Sequence, residues 1–387
     1  MLGLLILKHM YGLSDEEVCA RWVESPYFQH FAGETFFQHE LKHERSGLTH
    51  WRNRLGDKLE ALLAESLRVA HDSGALETRH LERVTVDTTV QPKNVTHPTD
   101  AKLMYKAVVK LGAMARKHGV PLRQSYIRVG KRAQIMAQRY AHAKQFKRAN
   151  RELKFLRTRL GRLIRDIRRK TAGDPALSKA FGTLLVQADR VRHQRQQQRG
   201  RKLYSLHAPE VECVGKGKAH KPYEFGYKVS ITTTNARAPG GQFVLHAKAF
   251  HGNPYDGHTL GNVIEETQAM TGVEIQRVYV DKGYRGHDAP KPLRVFRSGQ
   301  KRGVFGVIKK ELRRRSAVEA VIGHLKTDGH LDRNFLKGRH GDHANAVLSA
   351  AGHNFRLILH WIRLLLRLIL HAILKAGSLK ITRARAS

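Results

Sequence analysis

Residues 83–90 read RVTVDTTV, and no other stretch narrows the fold so far. β-branched residues alternate there, which predicts a strand, and Asp87 sits inside it. More than a hundred residues pass before strand signals return, at Phe225–Thr234, Phe243–Phe250, Glu274–Val280 and Gly303–Ile308. Helices are expected over Thr259–Met270 and from about Glu311 to Asp328. The order strand, long helical insert, strand, strand, helix, strand, strand, helix predicts an α/β fold.

The flanking regions read as helical. Ser14 and Glu17 form a capping box before Glu17–Val23. A second helix is expected from near Thr49 through Trp51, Leu55, Leu59, Leu62 and Leu63. With Trp51, Arg52 and Arg54, residues 1–80 fit a small DNA-binding head or a plain packing domain; helical spacing does not separate the two. The apolar residues begin at position 2 with no N-cap, so the natural domain is expected to start further upstream. Residues 81–354 form the expected catalytic region, interrupted at about 101–204 by a helical insertion. Within it, 131–170 carries fifteen Lys and Arg against two acids. Leu153, Leu156, Leu160, Leu163 and Ile167 repeat at three and four, a coiled-coil-like seam. This predicts a basic helical hairpin or arm whose Arg157, Arg162 and Arg165 face DNA phosphates. Residues 355–387 are expected as an amphipathic helix and basic tail. Arg356, His360, Arg363, Arg367 and His371 stripe Phe355–Leu374, the pattern of an amphipathic helix and not of a bilayer span.

Charge narrows the partner. The 387 residues hold 70 Lys and Arg against 33 Asp and Glu, a formal net charge of +37. That excess disfavours an ordinary metabolic enzyme and favours a polyanion, most simply nucleic acid, over an anionic membrane surface. Only Cys19 and Cys213 occur, so no disulfide framework is expected, in keeping with a reducing cytosol. The opening MLGLLILKHMYGL lacks the basic region and cleavage site of a signal peptide.

Three carboxylates carry the chemistry. Asp87 lies within a hydrophobic strand, and Asp281 follows Val278-Tyr279-Val280. A carboxylate so placed is costly unless paired or metal-bound, although Asp281 alone also reads as a strand-end cap. Glu319 lies in ELRRRSAVEAVIGHLK. On one helix Arg315, Glu319 and Lys326 would share a face, an acid for metal flanked by two cations for phosphate; the bland reading is an exposed helix with ion pairs. Phosphodiester hydrolysis and transfer want this set, with Mg²⁺ or Mn²⁺ on hard carboxylate oxygens.

Asp87, the DKGYRG around Asp281, and the stretch from Arg315 through KGRHGDHANAVLSAAGHN closely resemble the DDE transposases of bacterial insertion sequences, in the group called insertion-sequence family five. That group's signature is Tyr, two residues, Arg, three residues, Glu, six residues, Lys. Arg315, Glu319 and Lys326 match it, and Leu312 stands at the Tyr position. The resemblance implies an RNase H-like mixed sheet flanked by helices, with Asp87, Asp281 and Glu319 as catalytic metal ligands and Arg315 and Lys326 at DNA. It implies a cytoplasmic, nucleoid-associated bacterial enzyme of a mobile element. Such an enzyme binds terminal inverted repeats as a homo-oligomer in a synaptic complex, cleaves 3′ ends with Mg²⁺ (or Mn²⁺), and joins them to double-stranded target DNA. The other readings are an inactive or non-catalytic basic nucleic-acid-binding protein, and a cellular nuclease on the same fold.

Other motifs are set aside. His39-Glu40-Leu41-Lys42-His43 matches the zinc-protease pattern, but no extended third ligand follows and a +37 charge has no role in a protease. Asp256 reads as a turn with a helix cap rather than a further acid of the site. Lys216, Lys218, His220 and Lys221 fit DNA tracking and a solvated loop equally.

Overall fold

The computed structural model describes the chain apart from residues 43, 45, 196, 197, 199, 201, 216–221 and 385–387, and apart from the side chains of 57 and 376–384. Lys216, Lys218, His220 and Lys221 therefore lie outside the described residues, as does His43. By internal packing the chain divides into two units, residues 1–92 with 227–387, and residues 93–226.

The first unit opens with helices α1 (Leu2–Tyr11), α2 (Asp15–Glu24), α3 (Pro26–Phe31), α4 (Gly47–Leu55) and α5 (Glu60–Asp72). The capping box forms as expected: the Ser14 hydroxyl accepts from the Glu17 N–H at 3.1 Å, and the Glu17 carboxylate accepts from the Ser14 N–H at 2.7 Å. The helix expected from Thr49 through Leu63 is broken by a 3₁₀ turn at Gly56–Leu59. Gly56 adopts φ 47°, ψ −124°, which residues with a side chain rarely adopt.

Strand β1 (Arg83–Pro92) ends this lead-in, and in the second unit follow α6 (Asp100–Lys117), α7 (Ile127–His142), α8 (Phe146–Thr171), α9 (Pro175–His193) and β2 (Glu212–Gly215). The basic hairpin of 131–170 is α7 and α8, and it is not a free arm. Leu156, Leu160, Leu163 and Ile167 are buried with Leu103, Leu111, Phe181 and Leu185 in a core of its own, shared with α6 and α9. The seam was legible as a repeat, and it packs a four-helix bundle instead of a two-helix coil.

The chain re-enters the first unit along β3 (Tyr223–Thr234), then forms β4 (Val244–Phe250), α10 (Leu260–Thr271), β5 (Arg277–Val280), β6 (Arg294–Arg297), α11 (Gly306–Arg314), α12 (Ala317–Thr327) and α13 (Gly338–Ala384). Its sheet runs β4-β3-β1-β5-β6. β3 and β4 are antiparallel, and β1, β5 and β6 are parallel. Helices from both ends of the sequence cover it, the mixed α/β architecture of an RNase H-like domain. The N-terminal helices share a core with β3, β4, α12 and α13. The approach of α1 to α13 is close enough that a Cβ on Gly352 would meet the His9 backbone at 2.8 Å.

Two expectations fail here. Gly303–Ile308 is not a strand: Gly303 and Gly306 take φ of 72° and 53°, left-handed values that end extended pairing, and α11 begins at Gly306. The edge strand is Arg294–Arg297 instead, missed because alternating charge hides its apolar positions. The helix expected over Glu311–Asp328 is two helices, with Arg315 and Ser316 at the junction.

Candidate active site

Parallel pairing aligns the first two carboxylates. Thr85 lies opposite Tyr279 across β1 and β5. Two residues further along each chain stand Asp87 and Asp281, the second just past the end of β5. Equal offsets of two keep both on the same sheet face as that pair. Asp87 is half-buried; its Oδ1 accepts the Thr88 N–H at 2.8 Å. Asp281 leads a 3₁₀ turn at Lys282–Tyr284 and is exposed.

Glu319 comes from the first turn of α12, and Arg315 from the bend just before it. The Arg315 guanidinium is buried where the three carboxylates meet. Its Nη1 lies 3.1 Å from Asp87 Oδ2, and its Nη2 lies 3.9 Å from Asp281 Oδ1 and 3.7 Å from Glu319 Oε1. Asp87, Asp281, Glu319 and Arg315 are thus brought together. Exposure rises outward: the side chains of Arg315, Asp87, Asp281 and Glu319 are 10%, 18%, 52% and 71% accessible. The site opens to solvent on the Glu319 side. Lys326 is half-buried two turns along α12 from Glu319. Arg157, Arg162 and Arg165 belong to the bundle of the second unit. Arg162 and Arg165 are exposed, whereas Arg157 Nε donates to the Arg192 carbonyl at 3.0 Å.

Burial raises the Asp87 carboxyl above its ordinary 3.8, and the neighbouring Asp281 charge adds to this; the Thr88 N–H and Arg315 oppose it. Tyr284, 1% exposed, lies under the same charges. Burial, then Asp256 and Asp87, push its hydroxyl well above the ordinary tyrosine range, so it is a neutral phenol at the floor of the site.

Sequence reasoning missed two supports. Asp256 does not cap a helix: its Oδ1 accepts from the Thr88 hydroxyl at 3.1 Å and pairs with Lys228 at 2.9 Å. The loop carrying Asp256 is tied to the one after Asp281, where Tyr255 donates to the Arg285 carbonyl at 2.8 Å and Asp288 accepts the Gly261 N–H at 2.8 Å. The second is buried Glu311, one helical turn before Arg315. It pairs with Arg83 and Arg277 at 3.0 Å each and accepts from the Tyr279 hydroxyl. Arg83 and Arg277 are register partners on adjacent strands. Two like charges side by side require a counter-charge, and the repeated RVTV and RVYV starts were the available signal. Burial works against ionising Glu311, yet these bonds outweigh it and hold its carboxyl below the ordinary 4.5.

Among the described residues no three His, Cys, Asp or Glu side chains form a preassembled cation cluster; the carboxylates surround a guanidinium. Their donor set nonetheless fits a hard divalent cation: three carboxylates, with Thr88 holding the far oxygen of Asp87. His39 and Glu40 lie outside any helix, so no zinc-protease face forms there.

Comparison with known proteins gives three findings. Residues 1–54 match a family model described as a transposase domain, and residues 183–355 match one described as a transposase DDE domain. The chain is 54% identical over 147 residues to an uncharacterized protein, ORF8 in the nfe locus of Rhizobium meliloti, which covers 38% of this chain and 71% of that protein. No solved structure matches the chain.

Proposed function

The chain belongs to the DDE transposases, and from that premise we propose that it cleaves the 3′ ends of its own insertion sequence and joins them to target DNA. The observation that carries the reading is the convergence of Asp87, Asp281 and Glu319 on Arg315. The family acts with a divalent metal; in this reading Asp87, Asp281 and Glu319 would hold Mg²⁺, or Mn²⁺ in its place. When bound, such ions activate the attacking oxygen and stabilise the leaving one.

The chain's own residues do the rest. Thr88 fixes the rotamer of Asp87. Arg315, freed from part of its carboxylate contacts, turns a buried cation toward the scissile phosphate. Lys326 supplies a second cation further along α12. Tyr284 closes the floor without adding charge. The Arg315–Glu319–Lys326 spacing supports the family-five group, and Leu312 departs from its signature. A synaptic homo-oligomer on inverted repeats, acting in the bacterial cytoplasm at the nucleoid, completes the proposal.

The test uses a duplex made from the DNA flanking the gene, with Mg²⁺. The wild-type chain is expected to leave nicked 3′ hydroxyls and strand-transfer products. Glu319→Gln is expected to reduce cleavage to below a few per cent while gel-shift affinity persists, because a neutral amide is a poor Mg²⁺ ligand. More cleavage than that removes Glu319 from the ligand set. DNA binding without cleavage by the wild type favours a non-catalytic binding protein, and nicking without joining favours a nuclease.

A further inference from the structure

A cleft of about 860 Å³ lies in the first unit, away from the carboxylates. Lys8 and Arg52 stand on one wall; Arg333, Phe335, Lys337 and His340 form the other. Asp15 also lines it, but is already held by Lys8 and Arg52 at 2.6 Å each, so the acid does not cancel the opposite wall. Arg333, Phe335 and Lys337 are all exposed, and the Arg333 guanidinium lies 5.5 Å from the Phe335 ring centre.

This triplet is displayed from a fixed base. Asn334, between Arg333 and Phe335, is fully buried. Its side chain donates to the Tyr227 hydroxyl and to Asp342 Oδ1, both at 2.9 Å, and accepts the Leu336 N–H at 2.8 Å. Tyr227 in turn donates to Asp342, a fully buried carboxylate with no part in the chemistry at Asp87. The backbone is fixed as well, with the Asn334 N–H on the Pro92 carbonyl at 2.8 Å. A buried polar network of this kind is costly unless it specifies a geometry. What it specifies here is an outward cation, aromatic ring and second cation at alternate positions.

Pro92 ends the strand that carries Asp87. Five residues of strand span about 16 Å, on the order of five nucleotides of B-form rise. Exposed aromatic rings stack unpaired bases with little regard to sequence, and flanking cations track the backbone. We propose that this cleft binds an unpaired DNA strand running from the reaction centre, with a base stacked on Phe335 and phosphates on Arg333 and Lys337. The proposal rests on the DNA-cleaving reading above.

The test compares two labelled 20-bp duplexes, one blunt and one ending in six unpaired thymidines, by fluorescence anisotropy with the full chain. The wild type is expected to prefer the tailed probe. Phe335→Ala should weaken tailed binding about tenfold and leave blunt binding unchanged, and Phe335→Trp should restore it. Arg333→Gln with Lys337→Gln should flatten the salt slope on the tailed probe by about two. Equal affinity of the wild type for both probes overturns the proposal, as does a Phe335→Ala chain that binds the tailed probe as the wild type does or weakens on both probes alike. In each case DNA binding itself survives. A wild type that binds neither probe overturns the DNA reading as a whole, so the two failures are distinct. Circular dichroism of Phe335→Ala should match the wild type, since the ring is already exposed.

Discussion

Asp87 is a carboxylate held where its ionised form is poorly supported. Burial raises its pKa, and the Arg315 contact at 3.1 Å offsets this only in part. Keeping it ionised therefore costs stability, increasingly as pH rises from the ordinary 3.8 through the higher folded value. Such a residue is a poor device for holding the fold and a good one for binding a cation. Asp87→Asn is accordingly expected to raise the thermal midpoint of the metal-free protein at pH 7 while cutting cleavage at least about a hundredfold. In the wild type, Mg²⁺ at about a hundred times its Kd should add about 2.7 kcal/mol, and the variant should lose that increment. Calorimetry with and without Mg²⁺ reads both effects. A metal-free variant less stable than the wild type would show that Asp87 is a structural ion-pair residue.

At the scale of elements, the turn between α11 and α12 decides where the guanidinium goes. A single helix would place Arg315 and Glu319 on one face by spacing alone; the bend lets Arg315 point inward among the carboxylates while Glu319 stays at the rim. Glu311 holds α11 in that pose through Arg83, Arg277 and Tyr279. Because its folded pKa lies below 4.5, its contribution is full above pH 4.5 and is lost as pH falls through the folded value. Glu311→Gln should cost about 2 kcal/mol at pH 7, less in acid, and should lower cleavage without changing DNA affinity. Urea melts at pH 7 and pH 4 check the first part, and equal losses at both would deny the ionic role. The strand Asp87 sits on, the capping box of α2 and the helix α10 were legible in local pattern, because each depends on neighbours in sequence. So was the set Asp87, Asp281, Glu319 and Arg315, since only a few chemistries use such groups. Glu311 and Asp256 were not legible. Their partners lie on β1, β3 and β5, and no spacing rule joins residue 311 to 83 or residue 256 to 88. The strand expected at Gly303–Ile308 failed for a related reason: apolar residues in a short run do not reveal a glycine's backbone angle.

The whole molecule divides its labour between a unit that carries the carboxylates and a bundle that carries much of the charge. Fifteen cations between residues 131 and 170 face two acids, and Asp166 is already engaged by Arg169 and Lys170. The bundle's own core of Leu and Ile needs none of these cations to fold. Arg157 is the exception, since its bond to the Arg192 carbonyl ties α8 to α9. Arg162 and Arg165, both exposed on α8, are left to face a polyanion. Each phosphate neutralised contributes about −0.9 to the slope of log affinity against log salt. Arg162→Ala with Arg165→Ala should therefore flatten that slope by about 1.8, and Arg157→Ala should instead lower the melting temperature. Backbone contacts carry no sequence information, so affinity for element ends and for random duplex should fall alike. Alanine keeps α8 helical and leaves Leu160, Leu163 and Ile167 in place, so the double variant should fold. An unchanged slope in that folded variant would make the bundle's outer face a solvated or protein-binding surface, and the excess positive charge would then have to act elsewhere on the molecule.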